Sequence, residues 1–265
     1  MRERCLNMKF KKLLWGIFFV FFLIILIFSG YKIISIFFDN GGNVDKYIEE
    51  TSTITKESES DSMADNHGIK WSSLKKANDD IYAWIYIPNT NVDYPIVQSS
   101  VYESDTLYLD HNIDKKPDIA GAIFSERANR KDFSDPVTVI YGHNMKNGSM
   151  FNNIKSYTDQ SFADEHPYVY IYLPDGTVSQ YKVVVGHIIS ETSVLYNTHI
   201  VDTASFVQEM VKTSSIKVDF DQSQVQSVIT LSTCTSAGSE SGKRNVVHAI
   251  LQRKEIDPVK EKMEN

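Results

Sequence analysis

The chain has 265 residues, 42% hydrophobic and 12% aromatic. That is enough for one domain of about 150–200 residues plus extensions, and too apolar for general disorder. The formal net charge is −7: five basic residues and Glu3 give residues 1–12 a charge of +4, so everything after them carries −11. An acidic body argues against a nucleic-acid partner, and no P-loop or metal-type cysteine cluster appears.

Taken in chain order, a basic N-terminus (1–12, Arg2, Arg4, Lys9, Lys11, Lys12) precedes an apolar run at 13–38, broken only late by Lys32. Crossing a bilayer takes about 20 apolar residues, and Lys32 can snorkel to the far interface. A secretory signal has a shorter apolar region and a small-x-small cleavage site, which Ser29-Gly30-Tyr31 matches poorly. The run therefore reads as an uncleaved single-pass anchor, with the N-terminus cytoplasmic and the remainder extracellular. Residues 39–68 are polar, with the charged stretch Lys56-Glu57-Ser58-Glu59-Ser60-Asp61-Ser62, and read as a stalk.

The folded domain is expected over 69–254. It opens with an amphipathic helix at 71–80. Strands follow at 81–87 and 92–98, separated by Pro88-Asn89-Thr90-Asn91, and at 121–125 and 137–141. A helix is expected at 148–157 with Ser149 as N-cap. Strands at 168–173 and 178–189 flank Pro174-Asp175-Gly176-Thr177, a hairpin signal. A helix at 203–212 and strands at 225–233 and 244–253 close the domain, and 255–265 reads as a frayed tail. Many short strands with few helices predict a mainly β fold, a closed antiparallel or mixed barrel with peripheral helices.

The two cysteines, Cys5 and Cys234, lie on opposite sides of the expected membrane, so they cannot pair. A lone exported cysteine is inert, paired with another molecule, or reactive. Cys234 ends the apolar run Val228-Ile229-Thr230-Leu231-Ser232-Thr233 and opens a loop of small residues, which puts its sulfur at a sheet rim. Thiol catalysis also needs a proton carrier and an oxyanion partner. His143, in Tyr141-Gly142-His143, and Arg244, ten residues beyond Cys234, both sit at strand ends. Taken singly, a histidine before Asn144 reads as a turn residue and an exposed arginine as solvated. Of the other histidines, His67 falls in the stalk, His111, His166 and His199 in loops, and His187 in a strand. His248 shares a strand face with Arg244 and reads as core-lining.

Together these pieces resemble the sortase family of cysteine transpeptidases of Gram-positive cell surfaces. The resemblance rests on Thr230-Leu231-Ser232-Thr233-Cys234, Tyr141-Gly142-His143, Arg244 before Asn245-Val246-Val247-His248-Ala249, and Trp84-Ile85-Tyr86-Ile87-Pro88-Asn89-Thr90 with Tyr94-Pro95-Ile96. The subclass looks like class B, which implies an eight-stranded barrel preceded by a helix, with a helix-bearing insertion (here 190–220) before the last two strands. The resemblance implies His143, Cys234 and Arg244 as catalytic residues and no cofactor or metal. It implies that Ser232, Leu109 (with Tyr108), Thr192 and Tyr196 contact substrate. The implied partners are secreted proteins bearing a C-terminal sorting motif, cleaved after Thr, and an amine of a peptidoglycan precursor or stem peptide. The chain departs from some class B members in having Thr235-Ser236, not an acid, after the cysteine. Two rival readings stay open: a secreted cysteine protease, disfavoured because His143 precedes Cys234, and a non-catalytic surface binding domain.

Overall fold

The computed structural model describes residues 2–38, 67–193, 200 and 202–256. The expected stalk up to residue 66, and the end of the tail from 257, lie outside the described residues.

The chain divides into two compact units. The first is one helix, α1 (Arg2–Phe38). Within it Lys11–Lys32, 22 residues of mean hydropathy 2.7, is long and apolar enough to cross a membrane. Phe18, Phe21, Phe22, Ile24 and Leu26 are all exposed on it, so the unit itself offers their side chains no core.

The second unit contains a closed barrel of eight strands. They are β1 (Ile81–Tyr86), β2 (Asp93–Val97), β3 (Ile123–Phe124), β4 (Val137–Tyr141), β5 (Tyr168–Tyr172), β6 (Thr177–Ser190), β7 (Val228–Cys234) and β8 (Lys243–Ile256). Around the barrel the order is β1-β2-β3-β4-β7-β8-β6-β5. The pairs β2–β3 and β4–β7 are parallel and the rest antiparallel, so the barrel is mixed. Closure leaves no open sheet edge.

Alternation sorts the strand residues onto two faces. Ala83, Ile85, Ile96, Ile140, Ile171, Ile229, Leu231, Val247 and Ala249 belong to one buried cluster, the barrel's filling. The other face is covered by short helices. Leu74 of α2 (Trp71–Ala77) is buried with Trp84, Val97, Phe124 and Tyr172. Val207 and Met210 of α4 (Thr203–Val211), in the β6–β7 insertion, pack on Val137, Val139, Val185, Val228 and Ile250.

Three expectations are corrected. The helix at 148–157 is a 3-10 turn, Asn152–Thr158, followed by the short helix α3 (Gln160–Glu165). Ser149 does not cap it: its amide and hydroxyl both donate to Asn147 Oδ1, and Met150 follows at φ 57, a left-handed angle that stops a helix. The cap is Asp159, which accepts from the amides of Ser161 and Phe162 at the start of α3. His67 belongs to the folded unit rather than the stalk: Nε2 meets Asp93 Oδ1 at 2.9 Å, and the ring lies on Tyr86 and Tyr172. At the other end β8 runs on through Glu255 to Ile256, paired with Val178 and Thr177, where fraying was expected.

Candidate active site

The site is a product of strand direction. Because β4 and β7 are parallel, with Tyr141 beside Ser232, both chains leave the barrel at one rim. Gly142-His143 and Thr233-Cys234 therefore emerge side by side. The strand β8 runs antiparallel to β7 and starts at the same rim, which sets Arg244 directly opposite Cys234 in the ladder. The three residues singled out for chemistry thus converge from positions up to 101 apart in sequence.

Gly142 explains the Tyr-Gly-His pattern. Its amide donates to Ser232 O at 3.2 Å, extending the ladder. A Cβ here would lie 2.5 Å from Ile123 Cδ1 and 2.8 Å from Phe151 Cγ, so only glycine lets the strand end close down on the core.

The imidazole of His143 is held from outside its own strand. Nε2 lies 2.6 Å from the carbonyl oxygen of Leu109. A carbonyl only accepts, so Nε2 carries the hydrogen and Nδ1 is left to exchange a proton. Leu109 ends a 3-10 turn, Leu107–Leu109. Gly121 (φ 58) packs against that turn where a Cβ would come within 2.8 Å of the Leu109 oxygen. This carbonyl answers what orients the histidine in a chain with no acid after the cysteine.

Cys234 is half-buried at the end of β7. Two amide side chains converge on its carbonyl oxygen: Asn144 Nδ2 at 3.0 Å and Asn245 Nδ2 at 3.2 Å. Asn152 Nδ2 in turn donates to Asn144 Oδ1 at 2.8 Å. The cysteine backbone is thereby pinned to the loop after β4, to β8 and, through Asn152, to the 3-10 turn at once. Cys234 and His143 share a pocket of about 460 Å³, walled also by Asn144, Lys146, Asn152, Lys155 and the start of the β7–β8 loop.

Arg244 is not part of that wall. Its Nη2 donates to Glu191 Oε2 at 2.5 Å and its Nη1 to Lys243 O at 3.0 Å. Glu191 follows β6 directly, and its amide donates to Gly242 O at 2.9 Å. The expected contact residues divide. Leu109 exposes its side chain, whereas Tyr108 is fully buried, donating to Asp80 Oδ2 and accepting from Asn78 Nδ2. Ser232 is buried, two residues before Cys234 on the same strand face. Thr192 is exposed next to Glu191, its hydroxyl 2.9 Å from that of Ser190. Tyr196 lies outside the described residues, as does His199. Sequence reasoning missed Asn144, Asn245, Glu191 and the Leu109 carbonyl. The two asparagines each follow a singled-out residue; Glu191 and the carbonyl had no local signature.

A closed mixed barrel with a cysteine and a histidine on one rim pocket defines a class of thiol-dependent acyl-transfer enzymes. The sortase domain model matches residues 85–252. A sortase B of Listeria monocytogenes is 31% identical over 239 residues, covering 87% of this chain and 93% of that protein. A sortase B of Staphylococcus aureus is 26% identical over 240 residues, with the same two coverages. Among solved structures, a Staphylococcus aureus sortase B–substrate complex superposes with a TM-score of 0.62 at 28% identity, covering 69% of this chain and 85% of that one. The Clostridium perfringens sortase B gives 0.61 at 28%, covering 69% and 100%. The chain belongs to the sortase family of cysteine transpeptidases, and its relatives are of class B.

Proposed function

We propose that the protein is a membrane-anchored transpeptidase that cleaves a C-terminal sorting motif after Thr and transfers the protein to a cell-wall amine. The observation that carries this reading is the shared pocket of Cys234 and His143 at the rim where β4 and β7 end together. A thiol and an imidazole on one wall are the minimum for acyl transfer through a thioester.

In this reading the Cys234 thiolate attacks the threonine carbonyl, and the C–N bond breaks as His143 Nδ1 protonates the leaving amine. Arg244 supplies charged donors to the substrate carbonyl oxygen. Two of its nitrogens already have protein partners, and the guanidinium carries further N–H groups. The acceptor amine then attacks the thioester, giving its proton to His143 and releasing the thiolate. Leu109 and Thr192 are exposed beside groups that hold His143 and Arg244, and with Ser232 they are assigned to the sorting motif; Tyr196 is assigned with them. Residues 13–38 anchor the chain with the basic N-terminus cytoplasmic, and 39–66 space the catalytic domain from the membrane. Substrate and precursor are both membrane-bound, so tethering raises their effective concentration.

The test is incubation with sorting peptides and a panel of amines, with products read by mass spectrometry. The expected result is a new amide bond after Thr that depends on added amine and is lost in Cys234→Ala. Hydrolysis unaffected by amine, or activity retained by Cys234→Ala, refutes it.

A further inference from the structure

We propose that the pocket beside Cys234 selects acceptor amines that carry a carboxylate, and that Lys146 and Lys155 make the selection. The proposal rests on the reading that an amine resolves a Cys234 acyl-enzyme, and it names the chemistry of that amine.

The pocket is electrostatically unlike the molecule around it. Residues 67–256 hold 22 acidic and 17 basic residues, a net charge of −5. Yet among the described residues no carboxylate lines this pocket, while two lysines do. Lys146 extends from the turn after β4, which an Asn144–Met150 bridge closes. Lys155 comes from the 3-10 turn Asn152–Thr158. Elsewhere in the folded unit Lys115 is neutralised by Asp80 and Glu103, and Lys212 by Glu209. Among the described residues neither Lys146 nor Lys155 has an ion-pair partner.

The segments that carry the two lysines are also tied to the backbone of Cys234. Asn152, three residues before Lys155, donates to Met145 O and to Asn144 Oδ1, both at 2.8 Å. Asn144 in turn donates to the carbonyl of Cys234. The backbone that carries each lysine is therefore tied through one hydrogen-bond chain to the residue that holds the acyl group. A carboxylate drawn to the ammonium groups brings the amine on the same molecule to the pocket where the thioester sits. The amine nitrogen attacks the thioester carbonyl, the C–S bond breaks with its electron pair leaving on Cys234, and the amine proton passes to His143. The carboxylate takes no part in bond making. Its attraction to two like charges raises encounter and binding for such acceptors over neutral ones.

The experiment is competition for the acyl-enzyme of the full-length protein between Gly-Glu-amide and the near-isosteric Gly-Gln-amide, with both amide products quantified by mass spectrometry. At about 0.05 M salt the Glu acceptor should win by about five- to tenfold. At about 1 M salt, where the screening length falls to about 3 Å, the ratio should approach one. Lys146→Gln/Lys155→Gln should abolish the preference at low salt. Lys146→Gln alone, at an exposed position, should reduce it and covers the case of a double variant that misfolds. A ratio near one in the native protein overturns the proposal, as does a preference that survives the substitutions or high salt. The acyl-enzyme mass is read in the same samples. Its absence with every sorting peptide defeats the underlying reading and the proposal together; its presence without a Glu preference defeats the proposal alone.

Discussion

Arg244 and Glu191 lie 53 residues apart and meet at 2.5 Å. Both are partly exposed, and pairs of that kind contribute about 0–1 kcal/mol to stability. The contact matters instead for aim: it holds one edge of a five-donor fork so that the rest keeps a fixed direction. Glu191→Ala should therefore lower acylation kcat/KM by roughly three- to tenfold, the scale of a lost positioning contact, while the thermal midpoint moves little. A variant that acylates at the native rate, or one that unfolds markedly earlier, contradicts this role. The Leu109 carbonyl does for His143 what Glu191 does for Arg244, and because it is backbone no side-chain substitution at 109 removes it.

At the scale of elements, the site depends on β4 and β7 ending at the same rim. Gly142 is where that closure is tightest. Gly142→Ala introduces a methyl against Ile123 and Phe151, an overpacking that typically costs about 1–3 kcal/mol. Urea unfolding should show a lower midpoint, and acylation should fall with it because His143 is the next residue; an unchanged midpoint would show that the core yields freely. The strands were largely legible in the sequence. Val137–Tyr141 was placed to the residue, since an apolar run bounded by Pro136 and Gly142 has few alternatives. What was not legible follows from what a single segment cannot encode. The helix expected at 148–157 failed because Met150 takes a left-handed angle under tertiary constraint. The parallel pairing of β4 with β7, which creates the pocket, joins residues 91 apart in sequence. Cys234, His143 and Arg244 stood out by residue type and strand-end position, and it was the resemblance of their flanking motifs to the sortase family that implied catalytic roles for them. Glu191, Asn144 and the Leu109 carbonyl act through contacts that appear only when the barrel closes.

At the scale of the whole molecule, one polar chain, buried except at its Thr213 end, ties the insertion to the barrel. Thr230 Oγ1 lies 2.9 Å from His248 Nδ1, His248 Nε2 lies 3.1 Å from His187 Nε2, and His187 Nδ1 lies 2.9 Å from Thr213 Oγ1, just past α4. His248 is core-lining, as its position on the strand face implied, and it serves this network. Burial pushes His187 down to about 4, and burial followed by the neighbouring His187 pushes His248 well below the ordinary 6.5. Both rings are neutral in the native state, so the unfolded chain binds more protons as the pH falls below about 6.5. Stability from this pair is complete above 6.5 and drains away as the pH falls toward 4. Thermal midpoints recorded from pH 7.5 to 4.5 should fall, and His187→Asn should flatten part of that slope. Parallel slopes for the two proteins would show that these histidines do not set the pH dependence.

In the proposed mechanism Cys234 carries the acyl group. The most direct measurement is peptide mapping of the full-length protein quenched in acid during turnover of a sorting peptide. The expected result is a mass increase equal to the peptide up to its Thr, located on the fragment containing Cys234 and discharged by added amine. An adduct on any other residue, or turnover with Cys234 never modified, would contradict it.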